Sequence, residues 1–98
     1  MVIQGGLSDT KNSDDTIQNI VNNLKNKIQE KTKKEFNKFE VHSYKTQIVA
    51  GTNYFVKLNT DGEFMHVRIF KSLPPENNFK LIALEVNKNE KAEIEYFI

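Results

Sequence analysis

From Phe39 to Gly62 the chain reads FEVHSYKTQIVAGTNYFVKLNTDG. In its first half, Phe39, Val41, Ser43, Lys45, Gln47 and Val49 alternate with Glu40, His42, Tyr44, Thr46, Ile48 and Ala50, and this period of two predicts a strand to about Ala50. Gly51-Thr52-Asn53 interrupts the pattern. Tyr54, Val56 and Leu58 then alternate with Phe55, Lys57 and Asn59, and Asn59-Thr60-Asp61-Gly62 carries the turn chemistry of a tight hairpin. Connections this short cannot make parallel crossovers, so neighbouring strands must be antiparallel.

Downstream, Phe64 to Lys71 predicts a third strand and Phe79 to Val86 a fourth. Leu73-Pro74-Pro75-Glu76-Asn77-Asn78 between them must be a loop, because neither proline has an N–H to give to a ladder. Lys88 to Glu95 reads as a charged edge or tail that closes with Tyr96-Phe97-Ile98. Upstream the period changes. Ile17, Ile20, Val21, Leu24 and Ile28 recur at spacings of three and four, and Phe36 and Phe39 prolong the series. This predicts one amphipathic helix of roughly 22 residues from about Asp15, about 33 Å long. Ser13, Asp14 and Asp15 supply capping oxygens and negative charge to its first turn. Residues 1–12 have no periodicity long enough to bury themselves and read as a flexible arm. Residues 1–98 are thus one α+β domain: an antiparallel meander wrapped around a long N-terminal helix.

The composition narrows the function. The 98 residues include no cysteine, which excludes a disulfide framework, a thiolate metal cluster and a cysteine nucleophile, and fits a reducing, cytoplasmic setting. Fourteen basic residues against thirteen acidic ones give a net charge of +1, too balanced for a phosphate backbone or an anionic lipid surface. The lysine-rich stretch from Lys25 to Lys38 therefore reads as a solvated helix face. The longest apolar runs, such as Leu81 to Leu84, are far short of a membrane span. His42 and His66 fall on different strands with no metal-ligand spacing, and no glycine-rich phosphate loop is present. No enzyme activity, metal or cofactor is expected.

The meander returns the loop Leu73 to Asn78 to the end of the sheet that carries the Ile48 to Thr52 tip, and the arm approaches the same end. Val2, Ile3, Ile48, Val49, Ala50, Leu73, Pro74 and Pro75 stand where polar turn residues would be usual. A row of apolar tips is a candidate interface.

These residues resemble a known pattern. Gln47-Ile48-Val49-Ala50-Gly51 fits the Gln-x-Val-x-Gly hairpin of the cystatin superfamily, Gly5-Gly6 resembles its N-terminal glycine, and Leu73-Pro74 its second-hairpin Leu-Pro. In length, in lacking cysteine and in the run Tyr44 to Tyr54, the chain resembles the stefins, the intracellular type 1 cystatins. The resemblance implies a cystatin-like fold and a tight, reversible inhibitor of papain-like cysteine proteases, including cathepsins, that fills the active-site cleft. By this resemblance Val2, Ile3 and Gln4 lie in the unprimed subsites and Gly5 is the bend of the arm. Residues Gln47, Ile48, Val49, Ala50 and Gly51 cover the primed side, and Leu73 and Pro74 add apolar contact beyond it. Gln4 stands where the family often has proline, and Pro75 where many stefins have glycine. A second reading is a non-inhibitory protein-binding module using the same edge. The chain is expected to be a monomer, with one route to a dimer: opening the Ile48 to Thr52 turn would exchange strands between copies and abolish inhibition.

Overall fold

A computed structural model of the chain describes residues 6–97. Two short helices, α1 (Asp15–Asn23) and α2 (Lys25–Thr32), precede four long strands: β2 (Glu40–Val49), β3 (Gly51–Thr60), β4 (Glu63–Lys71) and β5 (Phe79–Lys88). A two-residue strand, β1 (Lys11–Asn12), comes before the helices. The sheet is antiparallel throughout, in the order β1-β2-β3-β4-β5. The α+β class and the meander agree with the sequence reading.

The helical stripe does what its spacing demands. Ile17, Ile20, Val21, Leu24 and Ile28 are all buried, packing with Val41, Val56, Leu58, Met65, Val67, Ile69 and Leu81 from one face of the sheet. Each such side chain removed from water contributes about 1.5–3 kcal/mol before the entropy of ordering it is subtracted. Asp14 caps the first turn: its carboxylate accepts from the Ile17 N–H at 2.9 Å and the Tyr44 hydroxyl at 3.0 Å. These hydrogen bonds, the Ile17 one first, hold its pKa below the ordinary carboxylate value.

The helix is shorter than expected and broken once. At Leu24 (φ −105°, ψ 5°) the N–H turns to the carbonyl of Val21, three residues back, and a new helix starts at Lys25. Asn22, Asn23 and Asn26 surround the break, and asparagine favours non-helical backbone. Helix α2 ends at Thr32, where Lys33 turns left-handed at φ 58°. Phe36 and Phe39, expected to extend the helix, lie beyond it. They are buried in the link to β2, their rings stacked at 6.1 Å. The link is tied at both ends by side chains. The Gln29 amide oxygen accepts from Phe36 N–H, and the Asp61 carboxylate accepts from Asn37 and Lys38 N–H. Gln18 joins helix to strand by donating to the Phe39 carbonyl at 3.1 Å and accepting from Val41 N–H at 2.8 Å.

Three other expectations change. His42 is an extra residue in the β2–β3 register, so Val41 faces the helices while Ser43 and Lys45 face the opposite side of the sheet. The arm is paired from Ser8 onward. Ser8 N–H donates to the Thr46 carbonyl, its hydroxyl accepts from Thr46 N–H, and Lys11 and Asn12 lie opposite Tyr44 and Ser43. Residues 89–97 are neither edge nor tail, because they cross the face of the sheet away from the helices. Ile94 is buried, Tyr96 and Phe97 pack on Phe55 at 5.6 and 5.8 Å, and Lys45 and Lys57 reach Glu93 and the Glu90 carbonyl.

Candidate functional site

The tip between β2 and β3 is tighter than the sequence suggests. Pairing continues through Gln47 opposite Asn53, Ile48 opposite Thr52 and Val49 opposite Gly51, leaving Ala50 alone at the apex. Gly51 through Asn53, expected to interrupt the strands, are therefore part of the ladder. Gly51 makes this possible with φ 124°, a conformation open to glycine and strained for any other residue. It is also buried: a Cβ there would meet the Lys71 carbonyl oxygen and fall 2.6 and 2.8 Å from Cζ and Cε1 of Phe70. This contact sets the hairpin tip against the end of β4, where Thr52 lies opposite Lys71.

Two residues past Lys71 comes Leu73. The loop is closed at its base, Ser72 N–H donating to the Asn78 carbonyl and Asn78 N–H to the Ser72 hydroxyl, each at 2.9 Å. Leu73, Pro74 and Pro75 project from that closure into solvent. Ile48 is 66% exposed and Leu73 54%, the most exposed of the large apolar side chains among the described residues. Val49 and Ala50 are exposed beside them, while Gln47 is half-buried. The Gln47 side-chain oxygen Oε1 accepts from the Asn53 side-chain Nδ2–H at 2.8 Å, bracing the two strands three residues on either side of the apex. No side chain from Gln47 to Gly51 or from Ser72 to Pro75 is ionisable under ordinary conditions, so the surface is apolar and neutral.

The structure thus brings Gln47, Ile48, Val49, Ala50, Gly51, Leu73 and Pro74 to one end of the sheet. Val2, Ile3, Gln4 and Gly5 lie outside the described residues. The Ser8 contact with Thr46, two residues short of Ile48, carries the N-terminal pairing toward the same end. Sequence reasoning did not find Asn53, Phe70, Ser72, Asn78 or Ser8 as supports. Only Asn53 had a readable signal, standing as far after Ala50 as Gln47 stands before it.

The two histidines stand apart from this end, on β2 and β4 on either side of Lys57. His42 is exposed, with Nε2 3.5 Å from a Glu90 carboxylate oxygen. His66 is 1% exposed, and its Nε2 has no hydrogen-bond partner among the described residues. Burial, then the charges of Lys57 and Lys88, push its pKa down to about 4 against an opposing pull from Glu85. Among the described residues no three His, Cys, Asp or Glu side chains are placed to hold a metal, and no helix is long and apolar enough to cross a membrane.

Residues 5–92 match the family model described as the cystatin domain. Cystatin-A of Homo sapiens is 43% identical over 98 residues, covering 98% of this chain and 100% of that protein. Leukocyte cysteine proteinase inhibitor 1 of Sus scrofa is 40% identical, covering 98% and 95%. Stefin-C of Bos taurus is 39% identical over 95 residues, covering 95% and 94%. With the cystatin domain matched over most of its length and relatives of this kind aligned nearly end to end, the chain belongs to the stefin-type cystatins.

Proposed function

We propose that this chain is a tight, reversible inhibitor of papain-like cysteine proteases, cathepsins among them, acting in the cytoplasm as a monomer and without catalysis of its own. The observation that carries this reading is the uncharged apolar ridge Ile48-Val49-Ala50 beside Leu73-Pro74, held at one end of the sheet by Gly51 and the Gln47–Asn53 bridge. Its family relative from Sus scrofa is named a cysteine proteinase inhibitor, which sets the class of partner.

Inhibition on this reading is occlusion. A ridge already ordered in the free protein loses little rotamer or loop entropy on entering a cleft, and proline at positions 74 and 75 limits it further. Ile48, Val49 and Ala50 cover the primed side of the cleft near the catalytic thiol, with Leu73 and Pro74 alongside. Gln47 acts indirectly, by fixing the tip. Val2, Ile3 and Gln4 fill unprimed subsites, with Gly5 as the bend that keeps the arm's carbonyls off the thiolate.

The test is the inhibition constant for papain of Val49→Asp against the unaltered protein. A carboxylate desolvated without a partner costs several kcal/mol, so the constant should rise about 100-fold or more. An unchanged constant, in a variant whose circular dichroism matches the original, would remove the ridge from the mechanism. Truncation through Gln4 should act instead by speeding dissociation.

A further inference from the structure

Strand β5 closes one side of the sheet, and among the described residues no strand pairs with its outer edge. An open edge of ten residues is a template for another strand unless something blunts it. Here the edge is apolar as well as open: Phe79, Ile82 and Val86 are exposed, Val86 to 47%. None of the three belongs to the ridge proposed to meet the protease.

The register against β4 shows which way each side chain faces. Leu81 and Leu84 lie opposite Ile69 and Val67, on the helix side, whereas Lys80 and Glu85 lie opposite Phe70 and His66, on the other face. Ile82 is the extra residue of a bulge, since Ile69 pairs with Leu81 and Arg68 with Ala83. The bulge shifts the alternation by one and so makes the strand symmetric in pattern about the Ile82–Ala83 bond. Reading outward from that bond, Leu81 matches Leu84 on one face and Lys80 matches Glu85 on the other; Phe79 matches Val86, which lies with Met65 and Leu84 on the helix side just before a second irregularity between Glu85 and Lys88.

We propose that this edge pairs with the same edge of a second copy, β5 antiparallel to β5 about a two-fold axis between Ile82 and Ala83. In that register Lys80 of each copy stands opposite Glu85 of the other, Leu81 opposite Leu84 and Phe79 opposite Val86, each pair on a common face. The axis forms both apolar pairs and both charge pairs at once, each Lys80 joining a Glu85 that Lys88 of its own chain already bridges at 3.0 Å. Two grooves between the sheet and α2 flank the edge. One of 320 Å³ is lined by Phe36, Met65, Leu84 and Val86, and one of 370 Å³ by Phe79 and Leu81. The pairing brings Phe79 of the second copy to the mouth of the first groove and its Val86 to the mouth of the second. Two edge strands bury less than a standard interface, and the bulge and lysines weaken the edge, so the dimer is weak and reversible and the dilute protein remains the monomer proposed as the inhibitor.

The dimer differs from one made by strand exchange at the hairpin tip, because Ile48, Val49 and Leu73 take no part in it. Both inhibitory ends stay free and point in opposite directions.

Sedimentation equilibrium of the full chain, up to about 1 mM, tests the pairing. The mean mass should rise reversibly toward twice that of one chain. Lys80→Glu sets carboxylate against carboxylate at both ends, and Glu85→Lys sets ammonium against ammonium; each should weaken association about tenfold or more. An equimolar mixture of the two variants restores opposite charges at both positions and should associate at least as well as the unaltered chain. Ile82→Lys, at an exposed position free of ion pairs, should also weaken it and serves if Glu85→Lys does not fold. A single-chain mass at every concentration, variants that associate undiminished, or a mixture no better than its components would overturn the proposal. So would loss of papain inhibition in the dimer of a chain that inhibits as a monomer. Association is read without any protease, so failure of the inhibitor reading would leave this result standing.

Discussion

Gly51 does two jobs at one Cα, holding a positive φ and leaving room for the Lys71 carbonyl and the Phe70 ring. Gly51→Ala must therefore strain the backbone and push β4 away together. The expected loss is about 1–3 kcal/mol, read as a lower urea midpoint, with weaker papain inhibition because the tip shifts away from the end of β4 and so out of line with Leu73. An alanine variant of undiminished stability would mean that the tip and β4 are not in contact. His66 is the other residue whose surroundings make a measurable statement. Folding lowers its pKa from 6.5 to about 4, so between those values the unfolded chain holds the extra proton. This contribution is intact above about pH 6.5 and is lost as the pH falls toward 4, ~3 kcal/mol in all at 1.36 kcal/mol per unit. Urea melts of the unaltered chain and of His66→Gln across that interval should differ in slope, the variant falling less steeply.

At the scale of elements, the segment 89–97 is held by groups that the sheet presents on its far face. The Arg68 guanidinium lies 5.5 Å over the Phe55 ring and 5.1 Å over that of Tyr96, and donates to the Phe97 carbonyl at 3.1 Å. Burial lowers the Lys57 pKa, while Glu90 and Glu93 pull the other way. Ile94, 2% exposed, is the apolar anchor. Ile94→Ala should cost about 2–5 kcal/mol in a denaturant melt, and a cost below that of a surface change would mean that the segment is only loosely laid on. None of this was legible in sequence, since a single buried isoleucine among charges has no period. The long strands and the Asp61-Gly62 turn were legible because alternation and turn chemistry are local. Asp61 and Gly62 indeed take φ 57° and 90°. The helix was legible in its buried stripe and not in its ends, because Phe36 and Phe39 keep the apolar spacing after the backbone has turned at Lys33. Ser8 to Asn12 were illegible for the opposite reason: their order comes from pairing with Thr46, Tyr44 and Ser43, which no local pattern announces.

Across the whole molecule, the two ends of the sheet are built differently. At one, Asp61 in the β3–β4 turn ties the sheet to the link after α2 through hydrogen bonds to backbone. At the other, the tips carry exposed apolar side chains on a rigid base and make no use of them within the fold. The ridge was legible and its base was not: the Gln47 to Gly51 and Leu73-Pro74 patterns pointed to the tips, while the supports from Phe70, Ser72 and Asn78 are contacts that no local pattern announces. A surface of this kind, on a member of the stefin-type cystatins, has one direct test. Papain of known active-site concentration is titrated with the purified, folded protein. The account predicts a linear fall in activity to near zero at one inhibitor per enzyme, recovered on dilution into substrate. Full papain activity in micromolar folded protein would contradict it.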